Sequence, residues 1–500
     1  MKKYRMILFA FTFVFSIFNH IQISFSQDQI DSDLNCFSII VGKNASADGS
    51  VLLAHNEDDY GKQIVNYYKV PRLKHQPDET ITFSTGAVIP QVPETYGYFW
   101  FEMPGMNFSD SYANEWGVVI ASDACSSRED HPDLTDGGIK YWLRRLIAER
   151  ARTAREGVKI AGKLISELGY ASSGRTYLIA DPNEGWMLAA VHGKHWVAQR
   201  VPDDRVAVIP NYYTIGDINL SDTSNFLGSP DLIDYAIQQG WFDPGRDERF
   251  HFAKAYSSSG NLKNSGNVHR MWRGVNLLAD NNYAMDDEFP FAIKPKKKVS
   301  LQNLMAVLRD HYEGTELDKT AHYRLGNPFE MNGSTICASS TQYGFVAQLR
   351  NWLPVDVGCI IWLAQYRPDS QAFISWYFGI DKMPDGYAYG DFQTALDQHF
   401  TPPGNIHEKT NTHAFWAFVR LADQIDKDYG KRIVPVRQKW DAIEKTLFEK
   451  QNGFEEKVLK IYRENPMEAK KQLTDYTNEW AGKAWQVANE LQSKMDNQNH

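Results

Sequence analysis

An antiparallel α+β layered fold is predicted by three features of the sequence. Short strand-like runs follow one another without regular βαβ alternation, a helical pair interrupts them once, and a charged helical stretch closes the chain. In order, CFSIIVG (36–42) and SVLLAHN (50–56) are apolar runs joined by a turn rich in Gly, Asn and Asp, which reads as a β-hairpin. YGYFWFEMP, GVVIASDA, TYLIADP, GWMLAAV, HWVAQRVP and RVAVIPNYYTI add strands, and the helical pair at 139–169 lies among them. STQYGFVAQLR, VGCIIWLAQY and QAFISWYFG supply a later set. From about 405 the chain is helical, broken once at Pro466, which lacks the N–H that a continuous helix needs.

The N-terminus reads as an export signal. Lys2, Lys3 and Arg5 precede the apolar run Met6 to Phe18, which is too short to span a bilayer, and Ser24 and Ser26 suit cleavage after residue 26. The protein is therefore expected to be periplasmic or extracellular. Residues 27–35 would form a propeptide, 36–404 a catalytic core and 405–500 a helical region packed on it. No Gly/Ser or Pro-rich linker and no internal repeat divides the chain further. A formal net charge of −9 argues against nucleic acid as a partner, and KPKKK at 294–298 reads as a solvated loop. The four cysteines, Cys36, Cys125, Cys337 and Cys359, are too scattered for a disulfide framework; apart from Cys36 they read as buried free thiols.

Cys36 sits where chemistry can be built. If the hairpin turn is tight at Asp48-Gly49, the residue opposite Cys36 is near 61; if the whole 43–49 loop turns, it is near 56. Asp58 falls inside that window. A cysteine at a chain start needs no histidine, because a free α-amine with a pKa of about 7.7 to 8.0 can serve as its general base. Cutting Asn35-Cys36 would free that amine, whereas the intact amide cannot accept a proton. The alternative is a buried strand cysteine. Lipidation is disfavoured by the poor lipobox Asp33-Leu34-Asn35.

CFSIIVGKNASADGSVLLAHNED, NEWGVVIASDAC, YLIADPNEGWMLAAVHGKHWVAQRVPDDRVAVIPNYYTIGDI, FVAQLRNWLPVDVGCIIWLA and LTDYTNEWAGKAWQVANEL, in this order, resemble the N-terminal-nucleophile dipeptidases. That family includes dipeptidase A and the secernins and is distantly related to choloylglycine hydrolase and penicillin V acylase. The resemblance implies a four-layer αββα fold and hydrolysis of dipeptides without metal or other cofactor. It also implies Cys36 as processed nucleophile, Asp58 as the carboxylate that holds the α-amine, and Asn211 as an oxyanion donor. Arg270 matches the active-site arginine, with Arg273 almost as good a match. Two departures stand out. His55 replaces an arginine of the bile-salt and penicillin branch, and Asp123 or Ala124 replaces that branch's second oxyanion asparagine, which makes a backbone N–H the expected donor.

Small peptides are the expected partners, with His55 and Glu57 (or Asp59) as candidate substrate-binding residues, no membrane contact after signal cleavage, and a homo-oligomer left open. Two other readings compete: an amide acylase of the bile-salt and penicillin type, and a non-enzymatic sugar-binding protein suggested by 14 Trp and 25 Tyr. Zinc-peptidase, G-x-S-x-G, P-loop and C-x-x-C patterns are absent, and HEKTNTH at 407–413 has the wrong spacing for two helical zinc ligands.

Overall fold

The computed structural model describes residues 35–497, so the signal segment and all of the expected propeptide except Asn35 lie outside the described residues. Two antiparallel sheets stack face to face. The six-stranded sheet runs, in spatial order, Val206–Ile209, Phe37–Val41 (β1), Val51–Asp58 (β2), Thr341–Leu349, Cys359–Gln365 and Ile374–Tyr377. The eight-stranded sheet runs Phe226–Gly228, Trp196–Val201, Gly185–Gly193, Tyr170–Ala180, Val119–Ala124, Ser111–Asn114, Tyr98–Glu102 and Asn66–Val70.

Side-chain alternation assigns the layers. In β1, Ile40 packs close to Gly185 of the eight-stranded sheet, whereas Phe37 meets Gly274 of helix Ser265–Leu278 on the other side. A Cβ at residue 274 would lie 2.5 Å from the Phe37 ring, so glycine lets this helix approach the start of β1. Helices Trp142–Arg150 and Ala154–Leu168 cover the outer face of the eight-stranded sheet. Helices Ser265–Leu278, Leu301–Leu308, Ala414–Asp426, Tyr429–Glu464 and Pro466–Asn497 cover that of the six-stranded sheet. The order is αββα, as the resemblance implied. All eight residues of β2 are buried, because both its faces are covered.

The sequence placed the start of the tail too early: residues 405–413 contain no helix, and the helical region begins at Ala414. The break before Pro466 is present. Among the described residues no helix is long and apolar enough to cross a membrane, and all four cysteines are buried and free.

Candidate active site

The β1–β2 register pairs Phe37 with Asn56 and Val41 with Leu52, so residues 42–50 form the turn and Cys36 lies opposite Glu57. This is the register of the longer turn. Cys36, Ser38, His55 and Glu57 consequently share the face turned to the eight-stranded sheet, while Asn56 and Asp58 point the other way. Asn56 Nδ2 donates to the carbonyls of Leu308 and Ile336 in the outer layer, both at 2.9 Å.

The side chain beside the thiol is therefore Glu57, and this refines the expectation that centred on Asp58. Cys36 Sγ lies 3.5 Å from Glu57 Oε1 and 3.6 Å from the backbone oxygen of Asp58. The Asp58 carboxylate accepts from Thr341 Oγ1 at 2.7 Å and from Ser340 Oγ at 3.3 Å. Glu57 Oε2 meets His55 Nε2 at 3.0 Å, His55 Nδ1 meets Ser38 Oγ at 2.7 Å, and Ser38 Oγ donates to Asp123 Oδ2 at 2.6 Å. Four links thus join the thiol to a carboxylate of the facing sheet.

Because Ser38 spends its one proton on Asp123, it accepts from His55 Nδ1–H. His55 Nε2 is then free to accept from a protonated Glu57, whose other oxygen accepts the thiol proton. Burial supports these states. It pushes His55 down to about 4 and Glu57 well above the usual carboxylate range, the latter opposed by the charges of Arg144 and Arg175. Asp58 and Asp123 are each pushed up to about 7, again chiefly by burial. The Cys36 thiol is raised well above its ordinary value by burial, then by the charges of Glu57, Asp123 and Asp58. With the Asn35-Cys36 amide intact, this thiol is held protonated and has no amine beside it.

Arg270 reaches the same point from its helix. Its Nη1 donates to the carbonyl oxygens of Asn35 at 2.7 Å and Cys36 at 2.8 Å, and its Nη2 to Asn211 Oδ1 at 2.9 Å and Asn267 Oδ1 at 2.8 Å. Asn211 follows strand Val206–Ile209, and its backbone oxygen accepts from Asn261 and Asn267 side chains at 2.8 and 3.3 Å. With Oδ1 fixed by the guanidinium, the buried Nδ2 is left without a partner among the described residues. Arg273 turns away into a two-pronged pair with Asp310 at 2.8 and 2.6 Å.

The structure thus gathers Cys36, His55, Glu57 and Asn211 with Arg270, sets the Asp58 carboxylate on the reverse face of β2, and separates Arg273. Asp59 accepts from the Ser109 hydroxyl. Ser38 escaped the sequence reading; the period-2 spacing from Cys36 was the signal that could have found it. Asp123 was singled out for the oxyanion region, but its carboxylate is an acceptor tied to Ser38.

The description of Peptidase family C69 matches residues 35–441 of this chain. A probable dipeptidase of Latilactobacillus sakei is 28% identical over 79% of this chain and 82% of its own length. A probable dipeptidase of Salmonella dublin is 29% identical over 71% and 84%, and a dipeptidase of Bifidobacterium longum 26% identical over 70% and 72%.

Proposed function

Since the chain belongs to peptidase family C69 and is a dipeptidase of that family, we propose that it is exported and works through Cys36 as an N-terminal thiol nucleophile. The observation that carries this reading is the meeting of Arg270, Asn211 and the Asn35-Cys36 junction at one buried point. Arg270 fixes the backbone on both sides of the bond that must be cut. Asn211 offers an N–H donor beside it that is unengaged among the described residues, as a developing oxyanion requires. The pattern of residues 1–26 supports export, and residues 27–35 are the segment to be removed.

In turnover the free α-amine of Cys36 takes the thiol proton, and Sγ attacks the peptide carbonyl of the dipeptide. Asn211 Nδ2 donates to the resulting oxyanion. Collapse releases the C-terminal amino acid, whose nitrogen receives the proton back from the α-ammonium. Water activated by the same amine then cleaves the thioester and restores the thiol. Glu57, 3.5 Å from the sulfur, is the group read as meeting the substrate's α-ammonium, giving up its proton as that charge enters, and Asp58, behind the strand, holds the hairpin end to residues 340 and 341.

Two measurements test the reading together. N-terminal sequencing of active enzyme should begin at Cys36, and an unblocked dipeptide should be cleaved in preference to its N-acetyl form. An active protein still starting at Gln27 would remove the amine as base. Preference for the blocked compound would make the enzyme an acylase.

A further inference from the structure

On the outer side of the six-stranded sheet, three side chains that the proposed chemistry does not use converge from three separate stretches of chain. His311 follows helix Leu301–Leu308, Cys337 precedes strand Thr341–Leu349, and Asp369 lies in the short 3-10 turn Pro368–Ser370. One ligand atom from each lies within 4.8 Å of the others, and all three residues are at most 3% exposed. We propose that His311, Cys337 and Asp369 bind a zinc ion that clips these stretches together.

The unmet bonding capacity points into the gap between them. Among the described residues, His311 Nε2 and Asp369 Oδ1 are buried without a hydrogen-bond partner, and Nε2 stands 4.0 Å from Asp369 Oδ2, too far for a hydrogen bond. On the other side of the ring, His311 Nδ1 meets Glu313 Oε1 at 3.1 Å. A histidine with one nitrogen tied to a carboxylate is oriented to ligate through the other. Arg367, the nearby cation, makes its close bonds with Asp426 at 2.8 and 2.9 Å and stays 3.6 Å from Asp369. Tyr429 Oη donates to Asp369 Oδ2 at 2.8 Å, fixing that carboxylate from the helical tail.

Thiolate, imidazole and carboxylate together suit zinc, which prefers four ligands in a tetrahedron. Binding would transfer the Cys337 thiol proton to solvent and leave one position for water. A cleft of about 500 Å³, lined by Arg309, Glu313, Tyr323, Tyr429 and Arg437 among others, reaches His311 and Asp369 from the surface.

The ion would add a tie to a stretch held mainly by side chains. Residues 309–340 contain only the single helical turn Pro328–Met331, and Tyr312, Ala321, His322 and Tyr323 all adopt positive φ. A long stretch with so little regular structure is held by side-chain bonds such as Tyr312 Oη to the Ser334 carbonyl and Asn332 Nδ2 to the His311 carbonyl, and a bound ion would join them. The site faces away from the Cys36 thiol, so its role is structural and the thiol chemistry does not pass through it.

The test is cobalt and zinc binding by the full chain carrying Cys36→Ala, which removes the active-site thiol as a rival ligand. Metal analysis after gel filtration should give about one zinc per chain, and Co²⁺ should give a thiolate charge-transfer band. Cys337→Ser should abolish the band, and Glu313→Gln should weaken zinc binding about 10- to 100-fold. Less than stoichiometric zinc in the Cys36→Ala protein, or an unchanged cobalt band in folded Cys337→Ser, would overturn the proposal. The zinc content of the Cys36→Ala protein decides the matter even if Cys337→Ser does not fold.

Discussion

Asn211 and Arg270 share one hydrogen bond, 2.9 Å from Nη2 to Oδ1, and that bond dictates which end of the amide is left to work. A reversed amide would set N–H against guanidinium. Asn211→Ala should therefore leave the hairpin folded and lower kcat by about 10²- to 10³-fold with a smaller effect on KM. Steady-state kinetics on processed enzyme measures this, and an unchanged kcat would take Asn211 out of the oxyanion site.

Cys36→Ala should abolish dipeptide turnover and, if removal of the propeptide is intramolecular, retain Gln27 to Asn35. Cys36→Ser keeps a weaker nucleophile and should process slowly while losing orders of magnitude in activity. Intact mass and dipeptide release are read on the same samples. Wild-type turnover by folded Cys36→Ala would eliminate the nucleophile.

Arg270 and Arg273 are three residues apart on one helix and should respond differently. Arg270→Lys removes the fork that grips two carbonyls and two asparagines, so both processing and turnover should drop. Arg273→Gln breaks the pair with Asp310 and should lower the melting temperature while sparing kcat. Equal losses of kcat in both variants would contradict this division.

An acid whose folded pKa exceeds its unfolded value favours the fold only while protonated. Asp123 is pushed by burial to about 7 from an ordinary 3.8. Its contribution is full at pH below the unfolded value, declines as pH rises through about 7, and amounts to a few kcal/mol in order of magnitude. His55 works oppositely, its folded value of about 4 against 6.5 making its contribution present above 6.5 and lost as pH falls through 4. Asp123→Asn removes the first effect and also takes away a charge that raises His55, which lowers His55 further without changing the trend above pH 6.5. Its stability relative to wild type should climb between pH 4 and 7 and then level off, as followed by denaturant midpoints. The reverse trend would mean that Asp123 is ionised in the fold.

Short apolar runs bounded by turn residues made the strands and the placement of Cys36 legible, because strands covered on both faces are apolar along their whole length. The hairpin window contained both Glu57 and Asp58, and the register that separates them depends on how many residues the turn consumes, which pairing across the sheets decides. Arg270 and Arg273 were indistinguishable for a similar reason: one turn of helix separates them, and only the position of Gly274 against Phe37 shows which faces β1. The link from Ser38 to Asp123 spans 85 residues and two sheets, so no local pattern could announce it.

The family match ends at residue 441, yet the wall behind the nucleophile's sheet does not. Arg350, in the turn after strand Thr341–Leu349, grips Glu455 with two bonds of 2.6 and 2.8 Å, and Tyr377 donates to the same carboxylate at 3.0 Å. The final helix then packs its buried Leu473 and Trp480 into the common core. Helices beyond residue 441 thus back the edge strand Ile374–Tyr377 of the nucleophile's sheet. Cutting the chain back to residue 441 would strip Arg350 of its counter-charge and open the core beneath Leu473 and Trp480 to water.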